Sequence, residues 1–178
     1  MPSEIPAVPA SLRRFVDASA IPLTLTASDL PDHPLVLVNR AFEILSGYAA
    51  EEIIGQNCRF LQGGLENGEA RARIREALAS GSEAEVVLRN CTKDGRRFDN
   101  LLFLQPIVGD GSRYFLGSQF ELQGAPTGPL VAERLDALDA LDPATFGMVA
   151  ESRQGQREGR EAIARSIADY AREQMARP

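Results

Sequence analysis

Three consecutive strand candidates, Glu83 to Cys91, Arg97 to Ile107 and Ser112 to Leu122, restrict the possible folds of this chain more than any other feature. They are joined by Lys93-Asp94-Gly95 and Gly109-Asp110-Gly111, which carry the glycine and small polar residues that tight hairpins use. Two shorter candidates precede them, Ile21 to Ala27 and Leu35 to Val38, separated by the turn Pro31-Asp32-His33-Pro34. Between the two groups, Arg40 to Phe60 reads as short helical pieces. Ala70 to Ala79 reads as a firmer helix, with Ile74, Ala77 and Leu78 inward and Gly81 just past its end. Two strands, several short helices and three strands make an α+β order. It predicts a five-stranded antiparallel sheet with the short helices gathered on one face.

The flanks read differently. Residues 1–20 begin proline-rich and then place Leu12, Phe15 and Val16 at helical spacing, with Ser11 a candidate N-cap. Residues 21–123 form the core. Residues 124–178 open on Gly124-Ala125-Pro126-Thr127-Gly128-Pro129 and then read as helices: Leu130 to Leu141, a second starting at Asp142-Pro143, and, after a Gly- and Gln-rich turn, Gly159 to Met175. Apolar stripes on helices this short need burial against the core or a second copy of the chain.

Composition narrows the chemistry. The net charge of −6 disfavours a nucleic-acid reader, which needs clustered Lys and Arg. No apolar run approaches the roughly 20 residues that span a bilayer, and the first ten residues lack the pattern of a secretory signal. Cys58 and Cys91 give no disulfide framework, so a cytoplasmic, reducing location is the default. One histidine and two cysteines do not make an ordinary zinc site, and no metal is assigned. That histidine, His33, reads as a surface-loop residue.

The run Gly55-Gln56-Asn57-Cys58-Arg59-Phe60-Leu61-Gln62 sets one thiol beside a guanidinium, amides and two apolar side chains. Such a mixture suits a thiol held close to a flat, phosphate-bearing, mostly apolar ligand. A thiol is a useful nucleophile only when something activates it, and no histidine pattern surrounds this one, which argues against a cysteine hydrolase.

The same run resembles the signature of the LOV (light, oxygen, voltage) family of flavin photoreceptors within the PAS superfamily, and the resemblance extends from Ile21 to Glu121. It implies a PAS-like sheet, FMN as cofactor, and Cys58 as the photoreactive nucleophile whose sulfur bonds reversibly to flavin C4a under blue light. The cofactor would supply the difficult chemistry and the protein would hold it. The resemblance further implies phosphate contacts from Arg59 and Arg75, whose forked guanidiniums suit that group. Asn57 and Gln62 match polar contacts to the flavin tail and ring. Asn90 and Asn100 match the carboxamides facing the pyrimidine edge, which needs both donors and acceptors. Leu102 shares the parity of Asn100 and should point into the same pocket. Gln119 matches the glutamine beside flavin N5, whose rearrangement would signal to the helical extensions. The expected protein is a short, non-enzymatic sensor, a homodimer that responds to light, with no membrane or nucleic-acid role. The alternatives are a PAS module sensing redox state or a ligand without light, and a thiol enzyme.

Overall fold

The computed structural model describes residues 7–109, 111–122 and 143–176. The strands are β1 (Leu23–Ala27), β2 (Leu35–Val38), β3 (Ala84–Cys91), β4 (Arg97–Gly109) and β5 (Ser112–Leu122). They form one antiparallel sheet in the order β2-β1-β5-β4-β3. The central position of β5 puts the last core strand between the two hairpins. Its register aligns Leu23 with Ser118 on one side and Leu102 with Gln119 on the other.

Alternation then divides the sheet. On β1, Thr24 and Thr26 face a cavity, whereas Leu23, Leu25 and Ala27 face the opposite side. On β4, Asn100, Leu102 and Leu104 face the cavity, whereas Leu101, Phe103 and Ile107 face away. The cavity face is roofed by α2 (Arg40–Ser46), α3 (Ala50–Ile53), a 3₁₀ turn (Cys58–Gln62) and α4 (Gly68–Ser80). Leu35, Val38, Phe42, Ile53 and Leu61 pack into a cluster that holds the short helices to β2.

The far face is covered by α1 (Ala10–Ala18) and α5 (Pro143–Met175). Leu12 and Val16 of α1 join Ala168, Ala171 and Met175 of α5 over Leu25, Ile107, Tyr114 and Leu116. Burial of this apolar set is the main reason these two helices stay on the sheet. Asn39, the N-cap of α2, ties the N-terminal end in. Its Oδ1 accepts from Phe42 N and Leu23 N, both at 3.0 Å. Its Nδ2 faces the carbonyls of Val16, Ser19 and Ile21 at 3.1, 3.1 and 2.8 Å.

Two expectations for the flanking helices need correction. Helix α1 has Pro9 at its N-cap with no side-chain cap, and Ser11 Oγ instead donates to the Gln174 carbonyl of α5 at 3.0 Å. At the other end, Pro143–Met175 is one continuous helix and does not break before Gly159. A Cβ at Gly155 or Gly159 would meet nothing within 4 Å, so these glycines cost only helix propensity. The expected helix Leu130 to Leu141 lies outside the described residues.

The edge strand β3 is finished by a side chain. Asn67 Oδ1 accepts from Arg89 N at 2.8 Å and its Nδ2 donates to Arg89 O at 3.0 Å, as a neighbouring strand would. The chain reaches Asn67 through Gly63 and Gly64, both left-handed at φ 52° and 77°. At Gly63 a Cβ would also lie 3.3 Å from Cys91 Cβ, so glycine lets the 3₁₀ turn lie against β3.

Candidate functional site

The cavity between the sheet and the short helices has a volume of about 720 Å³, within the range of small-molecule sites. All nine candidate residues line it. Asn57, Cys58, Arg59 and Gln62 come from the 3₁₀ turn, and Arg75 from α4. Asn90, Asn100, Leu102 and Gln119 come from β3, β4 and β5.

The 3₁₀ turn sets the thiol. Asn57 caps it, with Oδ1 accepting from Arg59 N at 2.9 Å. Cys58 is therefore the first residue of a short, fixed turn that lines the cavity. Burial pushes its thiol up to about 12, so it stays protonated through the neutral range. The thiol is thus poorly suited to unaided nucleophilic attack, and its partner must itself be reactive.

The sheet supplies amides. Asn90 and Asn100 are 2% and 1% exposed, and the Oδ1 of each has no partner among the described residues. Leaving buried amide oxygens unpaired is costly, so a ligand with donors at this wall is a ready explanation. Asn100 Nδ2 donates to Gln119 Oε1 at 3.0 Å, and Gln119 Nε2 donates to Thr24 Oγ1 at 3.4 Å. Gln119 is thereby strung between β4 and β1.

Cations sit on the opposite side. Arg59 is paired with Asp32 at 2.5 Å, and both side chains are more than half exposed. Arg75 is joined by a residue that sequence reasoning missed. Arg71 lines the same cavity and its Nε donates to Gln62 Oε1. The signal for it was present: Arg71, Ile74, Arg75 and Leu78 follow i, i+3, i+4, i+7 spacing on one face of α4, and all four line the cavity. Asp32 and His33 also line the cavity, so His33 is not simply a surface-loop residue.

An apolar slot with amides on one wall, a neutral thiol on another and guanidiniums at one end fits a flavin. Asn90, Asn100 and Gln119 could hold its polar ring edge, Leu102 and Leu88 its faces, and Arg71 and Arg75 the polar end of its side chain. Among the described residues no His, Cys, Asp and Glu cluster could hold a metal ion, and no helix is long and apolar enough to cross a membrane.

Comparison with known proteins agrees with this geometry. The PAS domain family matches residues 23–122. A blue-light-activated histidine kinase of Rhizobium johnstonii is 43% identical over 128 residues, covering 71% of this chain and 35% of that protein. A blue-light photoreceptor of Listeria monocytogenes is 41% identical over 107 residues, covering 60% of this chain and 42% of that protein. The chain thus spans less than half the length of either curated relative. The solved Rhodobacter sphaeroides LOV protein aligns with 41% identity and a TM-score of 0.63, over 89% of this chain and 92% of that one.

Proposed function

We propose, given that this chain belongs to the LOV group of the PAS domain family, that it is a blue-light photoreceptor holding FMN in the cavity beneath α4. The observation that carries this reading is the meeting, in one cavity, of the neutral Cys58 thiol with the amide oxygens of Asn90 and Asn100, which have no partner among the described residues. FMN is favoured over riboflavin by Arg71 and Arg75, with Arg59 beyond them, because the three end the slot in positive charge. Cys58 is the reacting residue: in blue light its sulfur bonds reversibly to flavin C4a, and the bond opens again in darkness.

Gln119 reports the event. Its amide links Asn100 to Thr24, so a rotation that exchanges its donor and acceptor ends disturbs both contacts at once. The Thr24 hydroxyl can donate as well as accept, which lets β1 register the change. Leu23 and Leu25, on either side of Thr24, belong to the cluster that holds α1 and α5. A change at Gln119 thus has a short path to the far-face helices. The signal leaves through those helices to a second copy of the chain, as a light-dependent homodimer in the cytoplasm with no enzymatic activity of its own.

The absorption spectrum in darkness and under blue light tests the reading. The purified protein should be yellow, bleach under blue light and recover in darkness. Cys58→Ala should stay yellow and lose the reversible bleaching. A yellow wild-type protein that does not bleach would favour a light-independent redox or ligand sensor. Reversible bleaching that survived in Cys58→Ala would exclude Cys58 as the reacting residue.

A further inference from the structure

We propose that an ordered water molecule is held between the sheet and α5 by Ser118 and Gln105, and that it ties α5 to β5. Among the apolar side chains of the far face, Ser118 on β5 and Gln105 on β4 are 0% and 4% exposed. Ser118 Oγ and Gln105 Oε1 are shut off from solvent and have no hydrogen-bond partner among the described residues. Folded proteins rarely leave such groups dry, because burial has already removed their bonds to bulk water.

Strand register makes the two residues neighbours. Ser118 pairs with Phe103 and Leu116 with Gln105, so Ser118 and Gln105 stand diagonally on one face. Diagonal positions are about 7–8 Å apart, within the joint reach of a long side chain and one water. Helix α5 closes the site from above. Phe103 groups with Ala164, and Ile107 with Ala168 and Ala171. Gln105 lies between Phe103 and Ile107 on that face, hence beneath the turn from Ala164 to Ala168. All three alanines are 0% exposed, and their short side chains let the helix backbone approach β4. The approach is visible farther along the same contact, where a Cβ at Gly109 would lie 3.0 Å from the Met175 carbonyl oxygen. Gln174 Nε2 is a third buried atom without a partner among the described residues. It belongs to the α1 end of the contact, where Ser11 Oγ donates to the Gln174 carbonyl.

Water matches the donors and acceptors of the site. It can accept from the Ser118 hydroxyl and donate to Gln105 Oε1. One hydrogen is left for a carbonyl of α5, whose second lone pair the helix does not use. A buried water commonly makes about two to four such bonds. Alanine methyls leave it room where larger side chains would not. Ser118 also pairs with Leu23 of β1 and immediately precedes Gln119. The tie to α5 therefore begins one residue from the group assigned to report light. That consequence rests on the photoreceptor reading, whereas the water site itself does not.

A crystal structure of the protein kept in darkness should show solvent density within hydrogen-bond range of both Ser118 Oγ and Gln105 Oε1. In urea unfolding, Ser118→Ala and Gln105→Leu should each lower the folding equilibrium constant about fivefold, because either change releases the water and strands the other group. The double variant should lose no more than either single one, since no polar group is left to strand. Absence of the density, or a direct Ser118–Gln105 hydrogen bond in its place, would overturn the proposal even if the variants failed to fold. So would single variants of unchanged or raised stability whose effects simply add. These measurements need neither light nor bleaching. A colourless or unbleachable protein would therefore remove the photoreceptor reading and leave the water site standing.

Discussion

The two faces of one sheet differ more than any two parts of the chain. On the cavity face, buried polar groups accumulate, and the Oδ1 atoms of Asn90 and Asn100 have no partner among the described residues. On the far face, leucine, isoleucine, tyrosine and alanine side chains interlock with α1 and α5. Strand alternation makes the two compatible, because neighbouring residues such as Thr24 and Leu25 serve opposite sides. The far face supplies most of the apolar burial, although Gln105 Oε1 and Ser118 Oγ on that side also lack a partner among the described residues; the cavity face holds amide oxygens that a ligand could satisfy. A change at Gln119 also begins one residue away from side chains packed under the far-face helices.

The comparison predicts where substitutions should be felt. Leu12 is 0% exposed between α1 and the sheet, and Leu12→Ala should cost about 2–5 kcal/mol in urea unfolding. A loss below about 1 kcal/mol would mean that α1 is an ornament and the far face is not the stabilising one. A smaller effect is expected where α5 meets the β4–β5 hairpin. A Cβ at Gly109 would lie 2.7 Å from Met175 Cβ and 3.0 Å from the Met175 carbonyl oxygen. Gly109→Ala should therefore push the end of α5 outward and cost about 1–3 kcal/mol. Amide hydrogen exchange should show the loosening confined to the last turns of α5; uniform exchange changes would contradict a local clash.

Much of the cavity face was legible in the sequence because its signals are local. Strand parity placed Asn100 and Leu102 together, and the segment around Cys58 carried its own turn. The register that joins Gln119 to Asn100 and Thr24 was not legible, since it depends on β5 lying between β1 and β4. Arg71 was missed for a different reason: a guanidinium on a charged helix reads as solvated until its alignment with Arg75 is noticed. His33 was misread because a Pro-Asp-His-Pro turn normally faces water, and only the bonds from Asn57 and Arg59 draw it over the cavity. The long helix α5 was cut in the reading because Gly155 and Gly159 resemble a turn. Packing of its last turns on α1 and the sheet outweighs that local preference.

The cavity face should respond with the opposite pattern. Asn100→Leu removes a buried oxygen that has no partner among the described residues and one hydrogen bond to Gln119, two changes of opposite sign. Stability of the flavin-free protein should change by no more than about 1 kcal/mol. Flavin affinity should nevertheless fall at least tenfold, which fluorescence titration would measure. A large folding defect with unaltered flavin affinity would reverse the roles assigned to the two faces.

The smallest expected effect lies at the mouth of the cavity and separates charge from scaffold. Asp32→Asn keeps the backbone carbonyl that accepts from Asn57 and a residue type that tolerates φ 66°, so only the charge facing Arg59 is lost. Both side chains of that pair are more than half exposed, and such a pair contributes about 0–1 kcal/mol to folding. Its effect on ligand selection should be easier to see. If Arg59 holds the phosphate of FMN as proposed, the carboxylate would compete for it, and its removal should tighten FMN binding by up to about fivefold, equivalent to about 1 kcal/mol. Riboflavin, which has no phosphate, should bind as before. Added salt should shrink the difference, because the competing charges are near water. Equal gains for FMN and riboflavin would mean that Asp32 acts through the shape of the turn, and that the positive end of the cavity is set by Arg71 and Arg75 alone.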